Sequence, residues 1–239
     1  MRVEQGVTLT FHKYQPNETG RDFVSGDIHG CFSDLEVEMR RVNFDTGLDR
    51  MFCVGDLTDR GPESSRAIHF LETDWFFPVL GNHEDIILQC YRDKESPTYW
   101  HNQNGGKWIQ NQSAEWIERY ISLIENLPLV IQVGSYGIVH SSVPKGISWD
   151  NFVQKAGVYR ELILWRRYRT YNETIEGIKT VYAGHTINSN PVQLGSILNI
   201  DTGAFLKYRD GYNGKLTILE MNHSEPIFKE PTDRDRVGV

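Results

Sequence analysis

Cysteine is scarce: Cys31, Cys53 and Cys90 are the only three in 239 residues, and no C-x-x-C pair occurs. An odd, scattered set argues against a disulfide framework and makes a reducing cytoplasm the expected setting. No stretch approaches the roughly 18 apolar residues of a membrane span. The leading MRVEQGVTLTFHKYQP lacks the apolar h-region of a secretory signal. Basic residues are the minority sign, 25 Lys+Arg against 32 Asp+Glu for a formal charge of −7. That balance counts against a non-specific nucleic-acid binder, although bound cations would invert the potential locally. Neither G-x-G-x-x-G nor G-x-x-x-x-G-K-[ST] is present, so dinucleotide and P-loop sites have no support. His83-Glu84 is followed by Asp85-Ile86-Ile87, so the second histidine of H-E-x-x-H is missing. There is no internal repeat and no low-complexity linker. A 39% hydrophobic, 24% charged chain of this length suits one sizeable globular core.

Short β-branched or aromatic runs predict strands at Asp22–Ser25, Met51–Val54, Phe76–Leu80, Leu129–Val133, Gly137–Val139, Thr180–Ala183, Ile197–Ile200 and Thr217–Glu220. Helical patterns lie between the early ones. Phe32, Leu35, Met39 and Val42 recur at helical intervals after Gly30, and Ser33 with Glu36 has capping-box spacing. Pro62 opens a second candidate with Ile68 and Leu71 on one face, and Glu84–Tyr91 is a third. Ala114–Glu125 is a fourth, striped by Trp116, Tyr120, Ile121 and Ile124. Strand, turn and helix thus repeat through the first ninety residues, which predicts an α/β fold with parallel strand pairs. The second half is richer in strands and predicts a mixed sheet.

In such sheets ligands gather at the carboxyl ends of strands, and there the polar motifs fall. The first three strands run into GDIHG (Gly26–Gly30), GDLTDRG (Gly55–Gly61) and GNHE (Gly81–Glu84), and later strands end at His140 and at Gly184-His185-Thr186. Asp27 and His29, two apart, project to one side of an extended segment. Asp56 follows the neighbouring strand and has two oxygens that two metals can share. Asn82, His140 and His185 add oxygen and nitrogen donors. Such ligation without thiolate suits Mn²⁺, Fe or Zn²⁺ better than Ca²⁺. Two metals about 3.5–4 Å apart can bind the attacking and leaving oxygens of an in-line displacement. Any one of these residues alone reads as a turn, a cap or a packed side chain; the ordered set is what points to metal.

The three motifs resemble those of the PPP-type, calcineurin-like metallophosphatases, whose pattern is GDxHG, GDxxDRG and GNHE. The short bacterial and phage branch is the most similar. The resemblance runs over about residues 20–220 and includes Asn104-Gly105-Gly106 with Trp108, Leu127-Pro128-Leu129, Gly184-His185-Thr186 and Ile200-Asp201-Thr202-Gly203-Ala204. It implies a single domain over 1–239, built as two mixed β-sheets packed as a sandwich and flanked by helices; the tail at 229–239, charged and poor in apolar residues, is expected to be mobile. One metal would take Asp27, His29 and Asp56, the other Asp56, Asn82, His140 and His185, and a bridging hydroxide would attack phosphorus. His83 would be the general acid, oriented by Asp59, and Arg60 would contact phosphate. A second arginine should follow a tryptophan. Trp165-Arg166-Arg167 offers two candidates, of which Arg167 has the branch's spacing.

Two departures stand out: Leu80 where the branch usually has Arg before GNHE, and Ser141-Ser142-Val143-Pro144 where it tends to read A-D-Y-P after the histidine. The expected activity is a Mn²⁺-dependent phosphoserine/phosphothreonine protein phosphatase, extending to phosphotyrosine, with phosphoproteins as partners and neither nucleic acid nor membrane. The alternatives are a symmetrical diadenosine tetraphosphate hydrolase, a phosphoprotein-binding metal scaffold and a nucleic-acid phosphodiesterase. The segment Tyr91–Gln112, rich in Asn, Gln, Gly and aromatics, is a candidate substrate-facing loop, although residue by residue it reads first as an ordinary surface connection.

Overall fold

Side chains that alternate between two faces of short strands organise the computed structural model, which describes residues 10–92, 100, 103–167 and 174–221. One sheet contains the parallel strands β2 (Asp22–Ser25), β3 (Arg50–Cys53) and β4 (Phe76–Pro78), with β10 (Ile218–Glu220) antiparallel beside β2. The other contains β1 (Phe11–Tyr14), β5 (Val130–Val133), β6 (Tyr136–Val139), β7 (Thr180–Ala183), β8 (Val192–Leu194) and β9 (Ile197–Asn199). It is ordered β1-β5-β6-β7-β9-β8 and mixes parallel and antiparallel pairs.

Val24 and Phe52 of the first sheet meet Ile131, Val133, Ile138, Tyr182 and Leu198 of the second in one buried cluster. The sheets are therefore packed face to face, as expected for a sandwich. Their neighbours point the other way, as a period of two requires. Phe23, Met51 and Cys53 pack under α1 (Phe32–Arg41), α2 (Ala67–Leu71), α3 (Asn82–Arg92) and α4 (Ala114–Ile124). Val130, Val139, Val181 and Ile197 pack under α5 (Trp149–Gln154) and α6 (Arg160–Trp165). Each fully buried Phe, Ile or Leu contributes about 1.5–3 kcal/mol, so the three apolar layers hold the sandwich together. Among the described residues no helix is long and apolar enough to cross a membrane.

Tertiary contacts move several boundaries. Arg50 joins β3 because its guanidinium makes a buried ion pair with Asp22 (Nε–Oδ1 2.7 Å), its register partner on β2. The Ser33–Glu36 capping box does not form. Cys31 is the N-cap of α1 without a side-chain bond, while the Ser33 N–H and hydroxyl donate to Glu63 at 2.7 and 2.6 Å and Glu36 pairs with Arg66. A carboxylate from another loop thus satisfies the helix start with charge-assisted bonds, which outcompete the local box. The helix expected from Pro62 begins only at Ala67, after a 3₁₀ turn at Ser64–Arg66. The Glu63 N–H donates to the Gly30 carbonyl and the Asp59 N–H to Ser64 Oγ (both 2.9 Å), which ties the intervening residues to the motif loops. The sequence patterns did not predict β1, β8, α5 or α6. The tail at 229–239 and part of the Tyr91–Gln112 segment lie outside the described residues.

Candidate metal centre

Because β2, β3 and β4 are parallel, their carboxyl ends share one rim, and β6 and β7, parallel in the facing sheet, bring His140 and His185 to the same place. The approach is close. A Cβ at Gly184 would overlap the Asp27 carboxylate, and one at Gly81 would overlap the Asp56 backbone and carboxylate. The backbone is also strained here: apart from Asn43, the non-glycine residues with positive φ among those described are His29, Asp56, Asp59, Arg60 and His185. Strain of this kind costs about 1–3 kcal/mol per residue and persists where surrounding contacts enforce it.

Asp56 lies at the middle. Its Oδ2 is 3.4 Å from His29 Nε2 and its Oδ1 is 3.5 Å from His140 Nε2, so each carboxylate oxygen faces a different histidine. Two groups of possible ligand atoms result, His29–Asp56–His83 and Asp56–His140–His185, each within 4.8 Å and wholly buried. Asn82 Oδ1 sits in the second, 2.8 Å from His140 Nε2 and 3.0 Å from His185 Nδ1. Asp27, outside both groups, accepts the His185 N–H at 3.0 and 3.2 Å. That contact joins the two sheets.

The hydrogen bonds select the donor atoms. His29 Nδ1 donates to the Thr58 carbonyl (2.9 Å), His140 Nδ1 to the Val54 carbonyl (2.8 Å) and His185 Nε2 to the Trp165 carbonyl (3.2 Å). Fixing one nitrogen as a donor leaves the other as a lone pair, the usual arrangement of a metal-bound imidazole. Burial lowers the pKa of all three, His185 to about 3, so they are neutral near pH 7. The His140 and His185 lone pairs then both face the Asn82 carbonyl oxygen. Acceptors this close call for a shared cation. Burial likewise pushes the Asp27 carboxyl well up, reinforced by Asp201 and Asp56, and pushes Glu84 up to about 8, reinforced by Asp56. Burial that opposes charge on Asp27, Glu84 and the three histidines fits divalent cations brought from outside.

His83 Nδ1 lies 2.6 Å from Asp59 Oδ2, and its buried Nε2 has no hydrogen-bond partner among the described residues. Arg60 Nη1 donates to His29 Nε2 at 2.9 Å, and its guanidinium lies 4.9 Å from the centre of the Phe205 ring. Arg167 is exposed, and its charge acts on His185 and Asp201. The Arg166 carbonyl accepts both the Ser141 and Ser142 hydroxyls. That is the use of the departing serines: they tie the loop after His140 to the start of the arginine pair.

A match to the calcineurin-like phosphoesterase family covers residues 23–202. The chain belongs to this family. As a calcineurin-like phosphoesterase it is a hydrolase of the metallophosphatase type, and the family implies divalent metals. It is 33% identical over 208 residues to serine/threonine-protein phosphatase 1 of Salmonella typhimurium, covering 83% of this chain and 91% of that one. A symmetrical bis(5'-nucleosyl)-tetraphosphatase of Shewanella frigidimarina is 32% identical over 129 residues, covering 52% of this chain and 45% of the other. A protein serine/threonine phosphatase structure from Saccharomyces cerevisiae shares the fold, with TM-score 0.59 and 18% identity over 83% of this chain and 72% of that one.

Sequence reasoning missed several residues of this calcineurin-like site. Trp100 donates from Nε1 to Asp59, and Arg209 lies over the Phe205 ring that also carries Arg60. Asp201 is a buried carboxylate beside Asp27. Only Asp201 carried a signal, as the acid of the Ile200-Asp201-Thr202-Gly203-Ala204 string.

Proposed function

We propose that the chain is a metal-dependent phosphomonoesterase that dephosphorylates phosphoserine and phosphothreonine in proteins. One observation carries the choice of substrate. The match to the Salmonella serine/threonine-protein phosphatase extends over 83% of the chain, whereas sequence matches to symmetrical tetraphosphatases cover 52% to 59% of it. Asp27, His29 and Asp56 would hold one divalent ion, and Asp56, Asn82, His140 and His185 a second, with Mn²⁺ the first choice and Fe or Zn²⁺ next. When bound, such ions offset phosphate charge and lower the pKa of water, so that a nucleophile exists at neutral pH.

The chain's own groups do the rest. Arg60 turns its fork from His29 to the phosphate oxygens, and Arg167, just past α6, takes others. Its charge, felt at His185 and Asp201, favours Arg167 over Arg166. His83 Nε2, without a hydrogen-bond partner among the described residues, carries a proton to the departing alkoxide, while Asp59 holds the ring through Nδ1. A serine alkoxide is a poor leaving group, so a placed proton donor matters.

Symmetrical diadenosine tetraphosphate hydrolysis is the second reading, favoured by tetraphosphatase relatives whose matches cover 52% and 54% of this chain. The deciding measurement is side-by-side turnover of phosphopeptides, diadenosine tetraphosphate and a bis-aryl phosphodiester with Mn²⁺. Phosphopeptides are expected to be fastest, with activity lost on chelation and restored by Mn²⁺. Preferred cleavage of diadenosine tetraphosphate would establish the second reading, and full activity in metal-free protein would remove metal dependence.

A further inference from the structure

Asp59 is completely buried, and both its oxygens are taken. Oδ1 accepts the Trp108 indole N–H at 2.6 Å, and Oδ2 accepts the Trp100 indole N–H and faces His83 Nδ1, each at 2.6 Å. Its own N–H donates to Ser64 Oγ at 2.9 Å, and its φ is 71°. From these contacts we propose that Trp100 and Trp108 are positioning residues, a pair of indole donors that fixes the plane of the Asp59 carboxylate and thereby aims His83 Nε2 into the site.

The surrounding sequence is built to deliver those donors. Gly106 has no side chain because a Cβ there would overlap the Trp100 indole, and a Cβ on Gly105, at φ 86°, would press on the Arg60 backbone. The Asn104-Gly105-Gly106 segment therefore lies directly over the Asp59–Arg60 turn. Trp108 is held in turn by edge contacts to Trp116 and Tyr120 of α4, with ring centres 5.5 and 6.1 Å away. The torsion that rotates an aspartate carboxylate is broad and roughly two-fold. His83 alone cannot set it, since the plane can pivot about a single hydrogen bond. One donor on each oxygen closes that freedom, and a carboxylate acceptor strengthens both bonds. Indoles suit the task because they donate without accepting and their bulk keeps water from a buried carboxylate.

This inference rests on the proton-carrier role proposed for His83, and its test separates the two. The donor is removed with shape retained by placing benzothienylalanine at position 108, alongside Trp108→Phe, Trp100→Phe and Asp59→Asn. Turnover is compared on an alkyl phosphate (β-glycerophosphate) and an aryl phosphate (p-nitrophenyl phosphate), which differ in their need for a proton. General acids contribute about 10²–10⁴-fold, so partial misalignment should lower kcat on the alkyl substrate about tenfold. In the variants at positions 100 and 108, KM and the aryl rate should stay within about twofold. Equal loss on both substrates, or a rise in KM alone, overturns the inference. A second readout needs no turnover: Asp59→Asn should shift both indole N–H resonances upfield and speed their exchange with solvent. Unmoved resonances overturn the clamp itself. Failure of wild-type protein on phosphoserine peptides would count against the substrate, and the alkyl-to-aryl ratio would still decide the clamp.

Discussion

The two ligand groups at the centre are built differently. His29, Asp56 and His83 all follow β2, β3 or β4, the three parallel strands of the four-stranded sheet, which are in fixed register. The second group takes Asp56 from that sheet but His140 and His185 from the six-stranded one. The first is therefore a local product of strand pairing, while the second exists only when the two sheets are docked. Asp56 belongs to both, and the His185 N–H bound to Asp27 supplies a second tie between the sheets.

Asp56→Ala tests the shared member and should have the largest effect. A loss of about 10³-fold or more in kcat is expected, together with weaker binding of both metals, measured by turnover and by metal content after dialysis. Retention of one tightly bound metal would mean that Asp56 serves a single group. Asp22→Ala attacks the local half by leaving Arg50 buried without its partner. It should lower stability by about 3–5 kcal/mol in a denaturant titration. A change under about 1 kcal/mol would show that strand register does not depend on this pair. His185→Ala attacks the docked half alone. Metal affinity should fall about 100-fold at one site while the other is retained, as read by calorimetric titration. Equal weakening of both sites would erase the distinction between the groups.

The local half was also the more legible in sequence. A tight turn carrying a carboxylate or imidazole after each strand needs glycine and a short apolar run, and Gly26–Gly30, Gly55–Gly61 and Gly81–Glu84 each show that pattern. β1 and β8 escaped notice because edge strands need little apolar alternation. Phe11–Tyr14 reads FHKY, and β8 contributes only Val192–Leu194. Trp100 could not be found because its acceptor lies 41 positions earlier and no spacing rule links them. Leu80, odd as a motif residue, is ordinary as a packed one: it is 2% exposed, in one apolar cluster with Val139, Val143 and Ile163. An arginine could not be placed there without losing that contact.

The hydrogen bond from His185 to Asp27 has a mechanical meaning. It makes the sandwich interior a spacer: the bulk of Phe52, Ile131, Ile138 and Leu198 sets how far apart the sheets stand. The gap between the two halves of the centre follows from that separation. Close-packed interiors yield little, so the gap is held to the tolerance of the packing rather than to that of any loop. A methyl group added or removed deep between the sheets would thus be felt as a change in reactivity at a site it never touches.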